Sequence, residues 1–556
     1  MKRKLIIKIS CFMAIIATIV ACQQTPSDNE IWYTTTDDQP LGITNKNLNR
    51  RNLDVTSISE TYSGGRGVLK FNAGKLSDFI RAGIFKDEYT LKSVILPKSV
   101  KSIESSAFRG CSSLTSVTIP DSVKSIESFA FRGCSSLTSI TIPKSVKSIG
   151  SFAFDDCSSL TSITIPDSVT SIESYAFLNC SSLTSVILPE GVTSIEGSVF
   201  SGCSSLTSIT IPKSVTSIGN SAFYGCSSLT SVTIPDKVES IGETAFLGCS
   251  SLRSVTIGNG TKTIGTDAFR DCSGLTSITI PESVTSIGHT AFLRCSSLTN
   301  VTIPDSIRRI EWGVFDGCSS LTNITIPERV ESIGSSAFEN CSSLTSITIP
   351  ESVTSIEWGA FKGCSSLTNV TIPDSIRSIE WGVFDGCSSL TSITIPERVY
   401  SIQREAFKNC SSLTNITIPE SVTSIGDSAF LRCSSLTNIT IPKVRRIEDS
   451  AFRGCSSLTS ITIPEGVESI GESAFSDCSS LTSITIPNRV NSIVDNAFSG
   501  CSSLTSITCL SITPPAWACR LDLSETTMIY VPKEAVKGYT DSYCWSRYRE
   551  QIKPIE

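Results

Sequence analysis

Histidine occurs once in 556 residues, methionine three times and tryptophan six times, and only 18% of the chain is charged. Each shortage excludes something. A Ser/His/Asp or Cys/His catalytic site would have to use His289, the single histidine. It stands in IGHTAF, where equivalent segments carry Ser, Asn, Thr or Asp, so it reads as a surface residue. No GxxxxGK[ST] and no HExxH occurs, which removes the phosphate-binding loop and the zinc-protease helix. No CxxC pair and no second histidine support a metal site. Lys+Arg number 46 against Asp+Glu 52, a net charge of −6 without any basic block, so the electrostatic footprint of a nucleic-acid binder is missing. Beyond the first residues no apolar run is long enough for a transmembrane helix. The expectation is a non-enzymatic protein with no cofactor, no metal and no nucleic-acid partner.

What the chain has is one segment repeated. LTSITIPDSVTSIESYAFLNCSS, Leu160 to Ser182, recurs in close copies from Leu91 to about Leu504. Leu160, Ile163 and Ile165 alternate with polar residues, which suits a short strand with one buried face. Pro166 ends that strand, because proline cannot donate to a ladder. Val169 and Ile172 return inward through a second short bridge, and Ala176–Phe177 fit a single helical or 3₁₀ turn. Cys180 closes the unit. One unit cannot bury its own apolar side, but stacked units can, each against its neighbours. Eighteen Phe–Cys units are present, with a Phe column from Phe108 to Phe498 and a Cys column from Cys111 to Cys501. Equivalent residues should stack at the strand spacing of roughly 4.8 Å. Two irregularities stand out. Gly258 replaces the proline, which permits a different turn, and between Leu436 and Leu458 one residue is lost around Lys443.

The pattern LxxIxIPxxVxxIxxxAFxxCxx resembles the BspA-like leucine-rich repeat, the 23-residue class of bacterial surface proteins. The resemblance covers about Leu91 to Ser511. It implies a leucine-rich-repeat solenoid, with parallel strands on a concave face and short helical or 3₁₀ turns on a convex face. It also implies surface display and adhesion to host proteins or cells.

The ends differ from the array. Lys2, Arg3 and Lys4 precede a mostly apolar stretch to Val20, as in an export signal. Ile19-Val20-Ala21-Cys22 looks like a bacterial lipobox, which implies cleavage before Cys22 and lipidation of it; an uncleaved membrane anchor is the alternative. The expected organisation is a signal peptide over 1–21, a tether over 22–30, a β-rich cap over 31–90, an array of about 18 units over 91–511 and a C-terminal cap over 512–556. Within the first cap, Ile31 to Ile43 reads as a hairpin turning at Asp37–Pro40, Val68–Phe71 as a strand and Leu76–Phe85 as a short amphipathic helix. Met528–Val531 reads as a last strand, followed by helical segments over Lys533–Tyr539 and Tyr543–Gln551. Gln23 after the lipobox cysteine argues, by analogy with sorting signals, for the outer membrane, and surface exposure is what the family resemblance implies.

The chain carries 23 cysteines, which in an exported protein usually means disulfides. The column cysteines nevertheless sit at a core position beside Phe, where free Cys acts as a small hydrophobe. Ser162, Thr164, Asn300 and Asn323 should face outward from the strands, keeping a solvent-facing sheet soluble. A hydroxyl lattice could also hold an ordered ligand such as ice, but the Ser/Asn column argues against it.

One turn-side column is different. The residue six before each column cysteine is usually small or polar, as at Ser128, Ser174, Asn220 and Thr266. In mid-array it reads His289, Trp312, Ser335, Trp358, Trp381, Arg404. A position that varies so freely should be exposed, and exposed tryptophan needs a reason. Arg308, Arg309 and Arg377 lie nearby in sequence, and Trp with Arg is the composition of binding hot spots. The expected function is adhesion to protein or glycan ligands on other cells or the extracellular matrix. A glycan-binding component of nutrient uptake and a passive surface spacer are the other two readings. Recent duplication of IEWGVFDGC would by itself account for Trp312 and Trp381.

Overall fold

The computed structural model describes residues 25–43, 58–71, 83–516 and 520–556. The signal segment, Cys22, the start of the tether and all but the end of the expected 76–85 helix lie outside them. The chain divides into two compact units, Met1–Leu252 and Arg253–Glu556.

In both units almost every repeat makes one strand and one shorter strand; just after the short repeat, the segment from Leu458 has in place of the first strand an isolated bridge, Thr462 to Thr440. In the first unit Ser139–Thr141, Ser162–Thr164, Ser185–Ile187 and Ser208–Thr210 pair in parallel, in register, Ser against Ser and Ile against Ile or Val. In the second the same ladder runs from Ser254–Ile257 to Asn438–Ile439. The middle residue of each three-residue strand is buried and its two neighbours are exposed, so Ser162, Thr164, Asn300 and Asn323 face outward as expected. A second row of two-residue strands, such as Ser148–Ile149 and Ser171–Ile172, places its Ile inward.

The core is a set of stacked columns. The Phe rings are fully or almost fully buried and lie nearly parallel, with centroids 5.1–5.8 Å apart within each unit. Beside them the cysteines are buried free thiols. Along the column they donate to the carbonyl of the Phe in the preceding repeat, as Cys134 does to Phe108 and Cys341 to Phe315, both at 3.2 Å. Burial raises the thiol pKa values, to about 12 at Cys203. The column is therefore a hydrogen-bonded spine of neutral thiols.

The turn side is built from hydrogen-bonded turns, not helix. Alternate amides close turns within a repeat, as Ala176 to Glu173 O and Cys180 to Phe177 O. The others reach the next repeat, as Tyr175 to Gly197 O, Phe177 to Val199 O and Asn179 to Ser201 O. The cause is two left-handed residues per repeat, five and one before the cysteine: Tyr175 and Asn179 here, Ser198 and Gly202 in the next. A right-handed helical turn cannot run through them.

The two irregularities resolve differently. At Gly258 the turn is the usual one, since Thr261 N donates to Gly258 O just as Val169 N donates to Pro166 O. In the short repeat Val444 N reaches back only to Pro442 O, at 2.7 Å. The lost residue is the serine that elsewhere bonds to the preceding repeat, as Ser421 Oγ does to Val399 O.

At the N-terminus the expected 31–43 hairpin does not form. Strand β1 (Glu30–Thr35) instead pairs antiparallel with β3 (Arg66–Phe71) and with β4 (Leu91–Ile95), the first strand of the repeats. Its partners are distant in sequence, so local turn signals misled. The hairpin present joins β2 (Ile58–Ser63) to β3 through Gly64–Gly65, both left-handed, as a two-residue turn requires. Ile84 and Phe85 lie in turns and are buried, and Phe85 stacks on Phe108 at 5.3 Å. The Phe ladder thus begins one rung before the first column cysteine.

At the C-terminus Met528–Val531 adds in parallel to Ser506–Cys509, and Ile552–Pro554 adds beyond it. A short helix, Val536–Asp541, and a 3₁₀ turn, Trp545–Tyr548, close this end. Trp545 is fully buried and donates to Pro515 O at 2.8 Å. Cys544 is disulfide-bonded.

Candidate ligand-binding surface

The column six before the cysteine is fixed by backbone alone. The left-handed residue that follows it donates to the equivalent carbonyl of the next repeat: Thr290 to Trp312 O, Ser336 to Trp358 O, Gly359 to Trp381 O, Gly382 to Arg404 O, at 2.9–3.1 Å. The side chains are left free to project. Trp312, Trp358 and Trp381 are 50%, 44% and 48% exposed, and Arg404 is exposed.

These residues form two clusters, not one strip. Ser335 is buried, its amide and hydroxyl both bonded to Glu357 at 3.1 and 2.8 Å, and it interrupts the aromatic row. On one side His289 and Trp312 lie 6.4 Å apart, tilted by 54°. Glu311 joins this cluster to Arg309, at 3.8 Å from His289 and 3.9 Å from Arg309. Arg308 is engaged elsewhere, with Glu331 at 2.9 Å, and Arg377 is exposed. On the other side Trp358 and Trp381 stack at 5.6 Å with 29° between their planes.

The second cluster encloses a pocket of about 170 Å³. Trp358 and Trp381 form its wall, Gly359 and Gly382 its base, and Lys362, Asp385, Glu405 and Lys408 its rim. The glycines make the space. Both hold the left-handed position that carries Ser336 or Ser428 in other repeats, and a Cβ on Gly382 would come no nearer than 4.0 Å to any neighbour. At Trp312 the same glycine is Gly313, and a Cβ there would lie 2.9 Å from the methyl of Thr290, so the space is filled.

The rim charges are paired. Lys362 lies 3.0 Å from Glu339, and Lys408 lies 3.4 Å from Glu405 and 4.0 Å from Asp385. Asn409 donates to Asp385 at 2.9 Å. Burial raises the Asp385 pKa, opposed by Asn409 and Lys408. Burial acts on Glu405 too, but Lys408, the Trp381 indole and Arg404 outweigh it, so its pKa falls. The Trp381 indole is 3.4 Å from Glu405. Among the described residues no group of three or more His, Cys, Asp or Glu could hold a metal ion. Cys22 lies outside the described residues.

Sequence reasoning found the tryptophans but missed the pocket. The signal was the glycine after each Trp, at 313, 359 and 382, read together with the residue two before each cysteine. It also missed a second aromatic ladder in the first unit. Phe129, Phe152 and Tyr175 stack at 5.0 and 4.5 Å on left-handed backbone, with the Arg132 guanidinium 5.8 and 5.9 Å from the two Phe rings. Arg132 also pairs at 2.9 Å with Asp155, a buried carboxylate that burial raises to about 6.

Known proteins place this architecture. Residues 78–207, 195–321, 309–437 and 424–514 match the family described as BspA type Leucine rich repeat region (6 copies). A leucine-rich repeat protein of Bacteroides ovatus is 30% identical, over 71% of this chain and 92% of that one, with a TM-score of 0.50. A leucine rich cell surface protein of Faecalibacterium prausnitzii is 36% identical, over 54% of this chain and 87% of that one, with a TM-score of 0.40. No curated protein matches. From the family match and the repeat geometry together, the chain belongs to the BspA-type leucine-rich repeat family.

Proposed function

We propose that this protein is a non-enzymatic adhesion and interaction protein of the bacterial cell surface. Lipid on Cys22 anchors it to the outer membrane. The repeats present a rigid scaffold, and the turn-side aromatics contact macromolecules on neighbouring or host cells. The observation that carries the reading is the two clusters of half-exposed tryptophans on backbone that does not need them. Large aromatics beside Arg are the residue types that dominate binding energy at interfaces. Many copies on one cell would multiply weak contacts into avidity.

The test replaces Trp312, Trp358 and Trp381 together by serine. Binding of the purified protein to intact cells and to immobilised matrix proteins should fall at least tenfold, while the melting temperature drops by no more than about 5 °C. Unchanged binding would leave the tryptophans as relics of repeat duplication. Protease treatment of intact cells checks display, and full protection of the repeats would end the surface reading.

A further inference from the structure

The pocket beside Trp358 and Trp381 has a chemistry of its own. Its volume of about 170 Å³ is below the roughly 300–1,000 Å³ of sites for drug-sized ligands, so it has room for a single ring. One wall is aromatic, and an indole face is the negative end of a quadrupole that attracts polarised C–H groups. The rim offers two ammonium groups and two carboxylates, but each cation is already paired with an acid. An anionic ligand would meet the carboxylates of Glu339, Glu405 and Asp385 beside the two ammonium groups. A cationic ligand would meet Lys362 and Lys408. A purely apolar side chain would bury Asp385 and Lys408 further and cover the lone pairs and N–H groups that their present partners leave unused, which costs free energy. What fits all three constraints is a neutral ring with C–H faces and hydroxyls at its edge. The carboxylates keep acceptor lone pairs and the ammonium groups keep N–H donors for those hydroxyls.

We infer that the Trp358–Trp381 pocket is a subsite for one neutral sugar ring, stacked on the indoles with its hydroxyls on Lys362, Asp385, Glu405 and Lys408. This inference rests on the turn-side aromatics being the interaction surface, and it names the chemistry that surface takes. The sugar belongs either to a free polysaccharide or to a glycan on a glycoprotein; recognition is the same for both.

The experiment is affinity electrophoresis of the full chain through gels containing neutral polymers of glucose, mannose, galactose or N-acetylhexosamine. An acidic uronic-acid polymer serves as the contrast. Binding to a neutral-glycan glycoprotein, before and after enzymatic deglycosylation, separates the two sources. At least one neutral polymer, or the glycosylated form alone, should retain the protein, and 1 M salt should leave the retention unchanged because the ligand carries no charge. Trp358→Ala with Trp381→Ala should weaken retention at least tenfold. Gly382→Phe should do the same by filling the pocket with both tryptophans intact, since Phe129 and Phe152 occupy the equivalent left-handed position in other repeats. Retention by no neutral sugar, retention only by the acidic polymer, or retention indifferent to these variants would overturn the inference. Binding to cells that needs the tryptophans yet survives deglycosylation would also overturn it, while leaving the adhesion reading intact.

Discussion

Trp358 and Phe361 lie three residues apart in one repeat, and each stacks on the equivalent ring of the next, yet their truncation should differ about a hundredfold in effect. Phe361 is fully buried between Phe338 at 5.5 Å and Phe384 at 5.8 Å, within 7° of parallel to both. Phe361→Ala removes a core ring and leaves a cavity that the stacked neighbours cannot close, a loss of about 4 kcal/mol. Trp358 is 44% exposed and has one aromatic neighbour, Trp381. Its truncation forfeits one stacking contact and a part-exposed face, about 1 kcal/mol. Repeat arrays can unfold in pieces, so a single global midpoint would blur the comparison. Hydrogen exchange read by mass spectrometry on peptides spanning residues 345–390 reports the local opening instead. At a factor of ten per 1.4 kcal/mol, protection should fall roughly 700-fold in Phe361→Ala and about fivefold in Trp358→Ala. Equal losses would refute the assignment of one ladder to the core and the other to the surface. A loss above about 3 kcal/mol for Trp358→Ala would make that tryptophan structural and remove the basis of the proposed function.

Three further outcomes follow from the same geometry. Gly288→Ala should destabilise by about 2 kcal/mol in urea titrations, because its Cβ would lie 2.4 Å from Thr266 N, whereas Gly466→Ala, with nothing nearer than 3.8 Å, should stay within about 0.5 kcal/mol. Asp155 has its pKa raised by burial to about 6 in the folded chain against about 3.9 unfolded, so the folded state holds the proton more tightly and stability falls as pH rises from about 4 to 6. Asp155→Asn removes that dependence, so in thermal melts at pH 5 and 7.5 the variant-minus-parent stability should be about 1 kcal/mol more favourable at the higher pH. Alkylation at pH 8 should leave the column thiols almost unmodified in the native protein and label all of them in denaturant without reductant; Cys501, 7% exposed at the end of the column, should react first. Few labelled thiols in denaturant would show a disulfide-linked column.

The sequence by itself determined the repeat, its strand, and which side chains face in. Leu160, Ile163, Phe177 and Cys180 recur at one spacing, and only stacking can bury such columns, so their burial was readable without coordinates. The exposure of Trp312, Trp358 and Trp381 was readable too, because a position that accepts Ser, Asn, His, Trp and Arg cannot demand one packed shape; the burial of Ser335 in the same column was not. Tertiary structure decided what depends on partners in other repeats. The turns after Ile172 are not helical, because Tyr175 and Asn179 take left-handed backbone to donate to Gly197 and Ser201 of the next repeat. Phe85 joins the ladder although Glu88 stands where the cysteine would be, since its ring has Phe108 to stack on. Strand β1 finds β3 and β4 and not its sequence neighbours, as pairing is settled by distant edges. The pocket exists only where Gly359 and Gly382 fall on successive rungs beneath two stacked indoles, while Thr290 fills the same space under Trp312. Periodicity fixes which residues share a column, but whether neighbouring columns leave room for a ligand depends on side-chain volumes meeting across repeats.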